Sequence, residues 1–176
     1  AAGLSTRFGT QNKLLADLGG RCVLRRTLDA VLGVVTVPPL VVLGHEAGAV
    51  AAALSGLPVE TAVNPHHAEG QQGSVAFGLR HVPEAEWTLV VPGDMAGLTA
   101  PALSALLAVA RTAPGGRITV PMHGDRRGNP VVLPAEARAA IRAGGPTLGC
   151  GQFTRRNPRL VHHFETDDAA FFADID

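Results

Sequence analysis

The sequence predicts an α/β domain built on a mostly parallel sheet with helices on both faces. Short apolar runs alternate with helix-like segments along the 176 residues, the pattern of strands buried on both sides of a covered sheet. Apolar residues make up 46% of the chain, enough for one continuous core in a chain of this size. No repeat, low-complexity stretch or long linker divides it, so residues 1–176 read as one domain.

The elements follow in order. Leu40 to Leu43 is an unbroken apolar run of strand length, and a helix is expected from about Glu46 to Leu54. Val59 to Val63 is a weaker strand, after which a polar loop leads to a helix near Ser74 to His81. Thr88 to Val91 is the clearest strand and ends at Gly93-Asp94. Thr99 suits the cap of the next helix and Pro101 its first turn, while Leu103, Leu106, Leu107 and Ala110 fall on one face. Arg117 to Val120 and Pro130 to Leu133 are further strands, the second leading into a helix near Ala135 to Arg142. His162 and His163 alternate across one more strand. Sheets of this kind hold ligands beyond the carboxyl ends of their strands, so the loops after strands are the places to look. Ala1-Ala2-Gly3 has the character of such a loop with no strand before it, so residues are expected upstream.

Composition narrows the function classes. The 15 basic and 15 acidic residues balance, which gives no broad field for nucleic acid or an anionic membrane. Any phosphate recognition must be local. Cys22 and Cys150 lie far apart, in neither a metal-spaced cluster nor a CxxC pair, as expected of ordinary thiols in a reducing compartment. The most apolar stretch, Val31 to Leu43, is broken by Thr36 and Pro38-Pro39 and is too short to cross a bilayer. The chain opens without a basic and then apolar leader, so a cytoplasmic location is expected. Lys13 is the only lysine beside 14 arginines; its compact ammonium suits a polyphosphate, and it follows a glycine-bearing loop.

Four segments carry candidate chemistry. In the first, Ala1 to Gly9 followed by Lys13, small residues let backbone N–H groups approach an anion, with Arg7 and Lys13 adding positive charge. It is not a Walker A loop, because Leu14 follows the lysine, and a purely structural turn is the competing reading. In the second, Leu89 to Met95, Asp94 sits just past a buried strand, where it either caps a turn or offers a hard oxygen to Mg²⁺; its position favours the metal. The third, Asn64 to Ser74, combines turn formers, amides and a hydroxyl before a helix start, which suits base and ribose recognition. Its His66-His67 pair reads as solvated loop rather than zinc site. The fourth is Asp174-Ile175-Asp176, which alone reads as a solvated terminus.

Taken together, AAGLSTRFGTQNKLL, NPHHAEGQQGSVAFGL, PGDM, RGNPVVLP and the final DID resemble the MobA-like nucleotidyltransferases, most closely the molybdenum cofactor cytidylyltransferase branch. These motifs run in the expected order from residue 1 to 176. The resemblance implies a three-layer, Rossmann-like sandwich of the nucleotide-diphospho-sugar transferase (GT-A-like) type, with a nucleotide-binding half and a variable acceptor half. Ala2, Gly3, Leu4 and Ser5 would line the nucleotide loop, with Arg7 and Lys13 on the triphosphate. Asn64, Gly70 and Ser74 would meet the base and ribose side; Asp94 would hold Mg²⁺, with Asp176 or Asp174 as second carboxylate. The opening AAG, where guanylyltransferases of the family carry GG, implies CTP as donor, and the family likeness implies a molybdopterin acceptor, with GTP or a sugar or polyol phosphate as alternatives. A molybdenum hydroxylase would receive the product, and a non-catalytic cofactor carrier is the rival of another class. Ala96 replaces the proline of the usual GDMP, the Leu148-Gly149-Cys150 region departs from the common pattern, and both ends are expected to run on.

Overall fold

A computed structural model describes residues 12–173. Two parallel strands, β1 (Leu40–Leu43) and β2 (Glu60–Val63), pair with Leu40 beside Glu60 and Leu43 beside Val63. A second sheet contains β3 (Trp87–Val90), β4 (Ile118–His123), β5 (Arg126–Arg127), β6 (Val131–Pro134) and β7 (Val161–Glu165). In it β6 lies between β3 and β4, and β7 pairs with β4. The helices are α1 (Val23–Leu32), α2 (Ala47–Ala53), α3 (Gln71–His81), α4 (Ala100–Thr112), α5 (Ala135–Ala143) and α6 (Cys150–Arg156).

The mostly parallel sheet expected from the sequence is corrected to a mixed one. β1–β2 and β4–β7 are parallel, but β3–β6, β4–β6 and β4–β5 are antiparallel. Only residues 124–130 separate β4 from β6, and a parallel return needs a crossover of about a dozen residues or more. Gly124, at φ 57°, helps form the tight reversal between β4 and β5. The run Val131 to Leu133 is buried on both faces, so its apolar pattern carries no information on direction.

The three-layer arrangement holds. Along β6, Val132 joins α4 and the side chains of Met95 and Leu98 on one face, while Val131 and Leu133 join α3, α5 and α6 on the other. Helix α1 forms a further seam: Ala30 and Val31 pack toward α4, whereas Val23, Leu24 and Leu28 cover β1 and α2. The sequence reading placed no helix there, although Val23, Leu24, Leu28 and Val31 form an apolar stripe at helical spacing, with Asp29 exposed opposite. Helix α4 starts as expected, Thr99 accepting from the Ala102 N–H at 3.3 Å. Helix α3 starts at Gln71, three residues earlier than expected, so Ser74 lies within it rather than before it. Gly70 precedes it at φ 111°, a conformation that side chains disfavour. Among the described residues no helix is long and apolar enough to cross a membrane.

Candidate functional site

The site begins at Asn12, whose side-chain oxygen accepts from the Leu14 N–H at 3.1 Å and caps a 3-10 turn over Lys13–Leu15. Leu14 anchors that turn by packing in the cluster that includes Val23, Leu24, Val41 and Leu43. Lys13 is thereby aimed across the molecule, and its Nζ lies 2.7 Å from Asp94 Oδ2. The two side chains are 21% and 19% exposed, so solvent still reaches the pair.

Asp94 is held by its neighbours. The Thr27 hydroxyl on α1 donates within reach of the Gly93 carbonyl, at 3.2 Å. Met95 is 2% exposed in the core, and the Leu98 N–H donates back to its carbonyl at 3.0 Å. Ala96, where the family motif carries proline, packs beside the β1 cluster; the turn is closed by this hydrogen bond without a fixed proline ring. Thr27 drew no attention in the sequence, because nothing local links it to residues 66 positions away.

The third candidate segment turns out to be internally tied. Asn64 is 2% exposed and donates from Nδ2 to Ser74 Oγ at 3.1 Å, while its Oδ1 accepts from the His66 N–H at 3.0 Å. Its backbone N–H donates to Leu43 O at 2.9 Å, joining the ends of β1 and β2. Asn64 and Ser74 therefore shape the loop, and Gly70 is the exposed member of the predicted trio. His66 Nδ1 lies 3.0 Å from Glu69 Oε1, and His67 Nδ1 lies 3.2 Å from the Asn64 carbonyl. Gln72, one of the amides of this segment, accepts at Oε1 from the Gly151 and Gln152 N–H groups at 3.1 and 3.3 Å. It thus fastens the start of α3 to α6.

The predicted loop residues Ala2, Gly3, Leu4, Ser5 and Arg7, and the carboxylates Asp174 and Asp176, lie outside the described residues. The segment approaching the last two is fixed. Asn129 N–H donates to Phe171 O at 2.9 Å, and Arg126 Nη2 donates to Phe172 O at 2.5 Å with its guanidinium 5.3 Å above the Phe172 ring. The RGNP motif thereby anchors the chain just before residue 174.

What the arrangement offers is one carboxylate, on the loop that leaves the carboxyl end of β3, in contact with one ammonium from the 3-10 turn before α1. A hard divalent cation fits such a donor: Mg²⁺ usually takes one or two protein carboxylates and completes its shell with water and substrate phosphates. Among the described residues Asp94 could offer that oxygen, and Lys13 places a positive charge 2.7 Å from it.

Comparison with known proteins shows the family and the fold. Residues 1–162 match the MobA-like NTP transferase domain. The chain is 28% identical over 184 residues to nicotine blue oxidoreductase of Paenarthrobacter nicotinovorans, covering 100% of this chain and 89% of that protein. Its fold superposes on Rv0371c from Mycobacterium tuberculosis H37Rv with a TM-score of 0.79 at 23% identity, over 100% of this chain and 90% of the other. For the manganese complex of that protein the TM-score is 0.72 at 21% identity, over 94% and 84%. A nucleotidyl transferase from Methanothermobacter thermautotroptrophicus gives 0.75 at 21% identity, over 97% and 82%.

Proposed function

The chain belongs to the MobA-like NTP transferase domain family, and from that premise we propose that it moves CMP from CTP onto the phosphate of a small acceptor, molybdopterin, with release of pyrophosphate. The observation that carries the reading is the 2.7 Å contact between Lys13 and Asp94. It brings the end of the glycine-bearing segment and the PGDM turn to one point, as a triphosphate site requires.

The chemistry is an in-line displacement. An oxygen of the acceptor phosphate attacks the α-phosphorus, a new P–O bond forms, the α–β bridging bond breaks, and its electron pair leaves on pyrophosphate. A phosphate dianion needs no base to attack, so the protein contributes position and charge. Lys13 offsets charge building on the β and γ phosphates, and Arg7 is proposed to join it. Asp94 would hold Mg²⁺, with Asp174 or Asp176 as second carboxylate, and when bound the ion would supply neutralisation of phosphate charge. The manganese complex of Rv0371c supports a divalent cation on this fold. Each such electrostatic contact is worth about 3–4 kcal/mol of barrier.

The test is pyrophosphate release by the full chain with Mg²⁺, molybdopterin and each of CTP and GTP. Release with CTP and not GTP supports the reading; release with GTP alone moves the donor assignment. A second reading is favoured by the relative that is named an oxidoreductase: the scaffold would then hold a reduced nucleotide cofactor. Oxidation of a reduced nicotinamide nucleotide without pyrophosphate release would establish that alternative. Cofactor delivery to a molybdenum hydroxylase by an Asp94→Asn protein lacking transferase activity would instead favour a carrier.

A further inference from the structure

The hairpin that makes the sheet mixed also carries charge to a definite place. β3 and β4 each run antiparallel to β6, so they point the same way, and β7 runs parallel to β4. The turn after β3, with Asp94, and the β4–β5 hairpin, with Arg127, therefore open on the same edge of the sheet. Arg127 reaches from this hairpin to α6, where its Nη1 donates to Thr154 Oγ1 at 2.8 Å. That hydroxyl is already engaged with the Cys150 carbonyl at 2.9 Å.

The next residue, Arg155, folds back along α6. Its Nη1 comes within 3.6 Å of where a Cβ on Gly151 would stand. Partial desolvation of its guanidinium, and then the Arg155 charge, lower the pKa of Arg127 below the ordinary arginine value. Among the described residues neither arginine has a carboxylate within ion-pair distance. By contrast, Arg21 faces Asp29, and Arg138 and Arg142 share Glu84. Helix α6 is itself fastened by Gln72 to the start of α3, two residues past Gly70. Two cations thus both reach the Gly151–Thr154 stretch of α6, the helix tied by Gln72 to the start of α3. An anion with several oxygens relieves their repulsion, and the planar guanidinium fork matches phosphate oxygens in pairs.

We propose that Arg127 and Arg155 form a clamp for the monoester phosphate of the acceptor, the group that attacks the nucleotide. This assignment of the acceptor rests on the nucleotidyltransferase reading; the anion clamp itself does not. A bridging phosphate binds Arg127 from the hairpin and Arg155 from α6, so it also draws those two elements together.

The experiment uses the full chain and inorganic phosphate as the probe, followed by calorimetric titration. Four proteins are compared: wild type, Arg155→Ala, Arg127→Lys and Arg111→Ala. Arg127→Lys keeps the charge and removes the fork, which guards against misfolding as an explanation. Loss of a charge-assisted hydrogen bond weakens binding about ten- to a hundredfold. Arg155→Ala is expected to show that weakening, Arg127→Lys a smaller one, and Arg111→Ala, an exposed arginine in the last turn of α4, wild-type phosphate binding. Absence of phosphate binding in wild type, wild-type binding in both Arg155→Ala and Arg127→Lys, or equal loss in Arg111→Ala overturns the clamp. A parallel titration with CTP and Mg²⁺ separates the two readings. Unchanged nucleotide binding in Arg155→Ala and Arg127→Lys places the two residues on the acceptor side, and its loss there overturns that placement. Failure of every NTP to bind wild type, with phosphate binding still tracking Arg127 and Arg155, upholds the clamp and rejects the transferase.

Discussion

Replacing Lys13 with alanine should act in opposite directions on metal binding and on turnover. Lys13 neutralises Asp94 at 2.7 Å with both side chains about one-fifth exposed. A charge-assisted hydrogen bond in such a setting is worth about 1.5–3 kcal/mol net. A divalent cation arriving alone must displace that ammonium, so its affinity is lowered by about ten- to 150-fold, the same free energy written as a ratio. An incoming triphosphate relieves the competition by drawing Lys13 onto its own oxygens. Lys13→Ala should therefore bind Mn²⁺ more tightly in the absence of nucleotide, by up to that ratio, as read from the free-ion signal in electron paramagnetic resonance. The same variant should lose about a hundredfold or more in pyrophosphate release, because charge on the leaving group is no longer offset. Unchanged or weaker Mn²⁺ binding in Lys13→Ala would refute the reasoning even if turnover fell.

Three further outcomes follow from the side-chain surroundings. Burial pushes the Cys150 thiol up to about 12 from an ordinary 9.0, so a thiol reagent at pH 8 should label Cys22 in the native chain and Cys150 only after unfolding. The stability contributed by the buried protonated thiol is complete below pH 9.0 and declines from there toward about pH 12. The hydrogen bond from Arg142, aided by the Arg138 charge, holds the Glu84 carboxyl below its ordinary 4.5; its stabilisation is present above pH 4.5 and lost as pH falls through the lowered value. Urea midpoints of wild type and Glu84→Gln should accordingly differ at pH 7 and converge in strong acid. Asn64→Ala removes the bond to Ser74 inside the protein and should cost about 1–3 kcal/mol in urea unfolding; a cost near zero would mean the loop is not held by this pair.

The sequence made the strand segments legible, because Leu40 to Leu43 and Val131 to Leu133 are apolar runs of strand length, but not their directions. A strand covered on both faces reads the same either way, and only the short connection from His123 to Val131 betrays the hairpin. Helix α1 was hidden by its neighbours: its apolar stripe runs into Val34 and Val35, which blurs the helical period. At the candidate site, Lys13 and Asp94 stood out through residue type and position, and their contact bears on both. The roles of Thr27 and Gln72 were illegible, since each works through a partner distant in sequence, on Gly93 and on α6. Asn64 was legible as a loop residue, yet its burial and its bond to Ser74 come from packing that no local pattern encodes.

Ligand-dependent thermal unfolding puts the greatest strain on the account. A ligand present at about a hundred times its dissociation constant stabilises the native state by about 2.7 kcal/mol. A chain of this length gains roughly 2–4 °C for each kcal/mol. CTP with Mg²⁺ should therefore raise the wild-type midpoint by about 5–11 °C, ATP and UTP should not, and Asp94→Asn should respond weakly. An equal rise in wild type and Asp94→Asn, or no rise with any NTP, would contradict a nucleotide site built on Lys13 and Asp94.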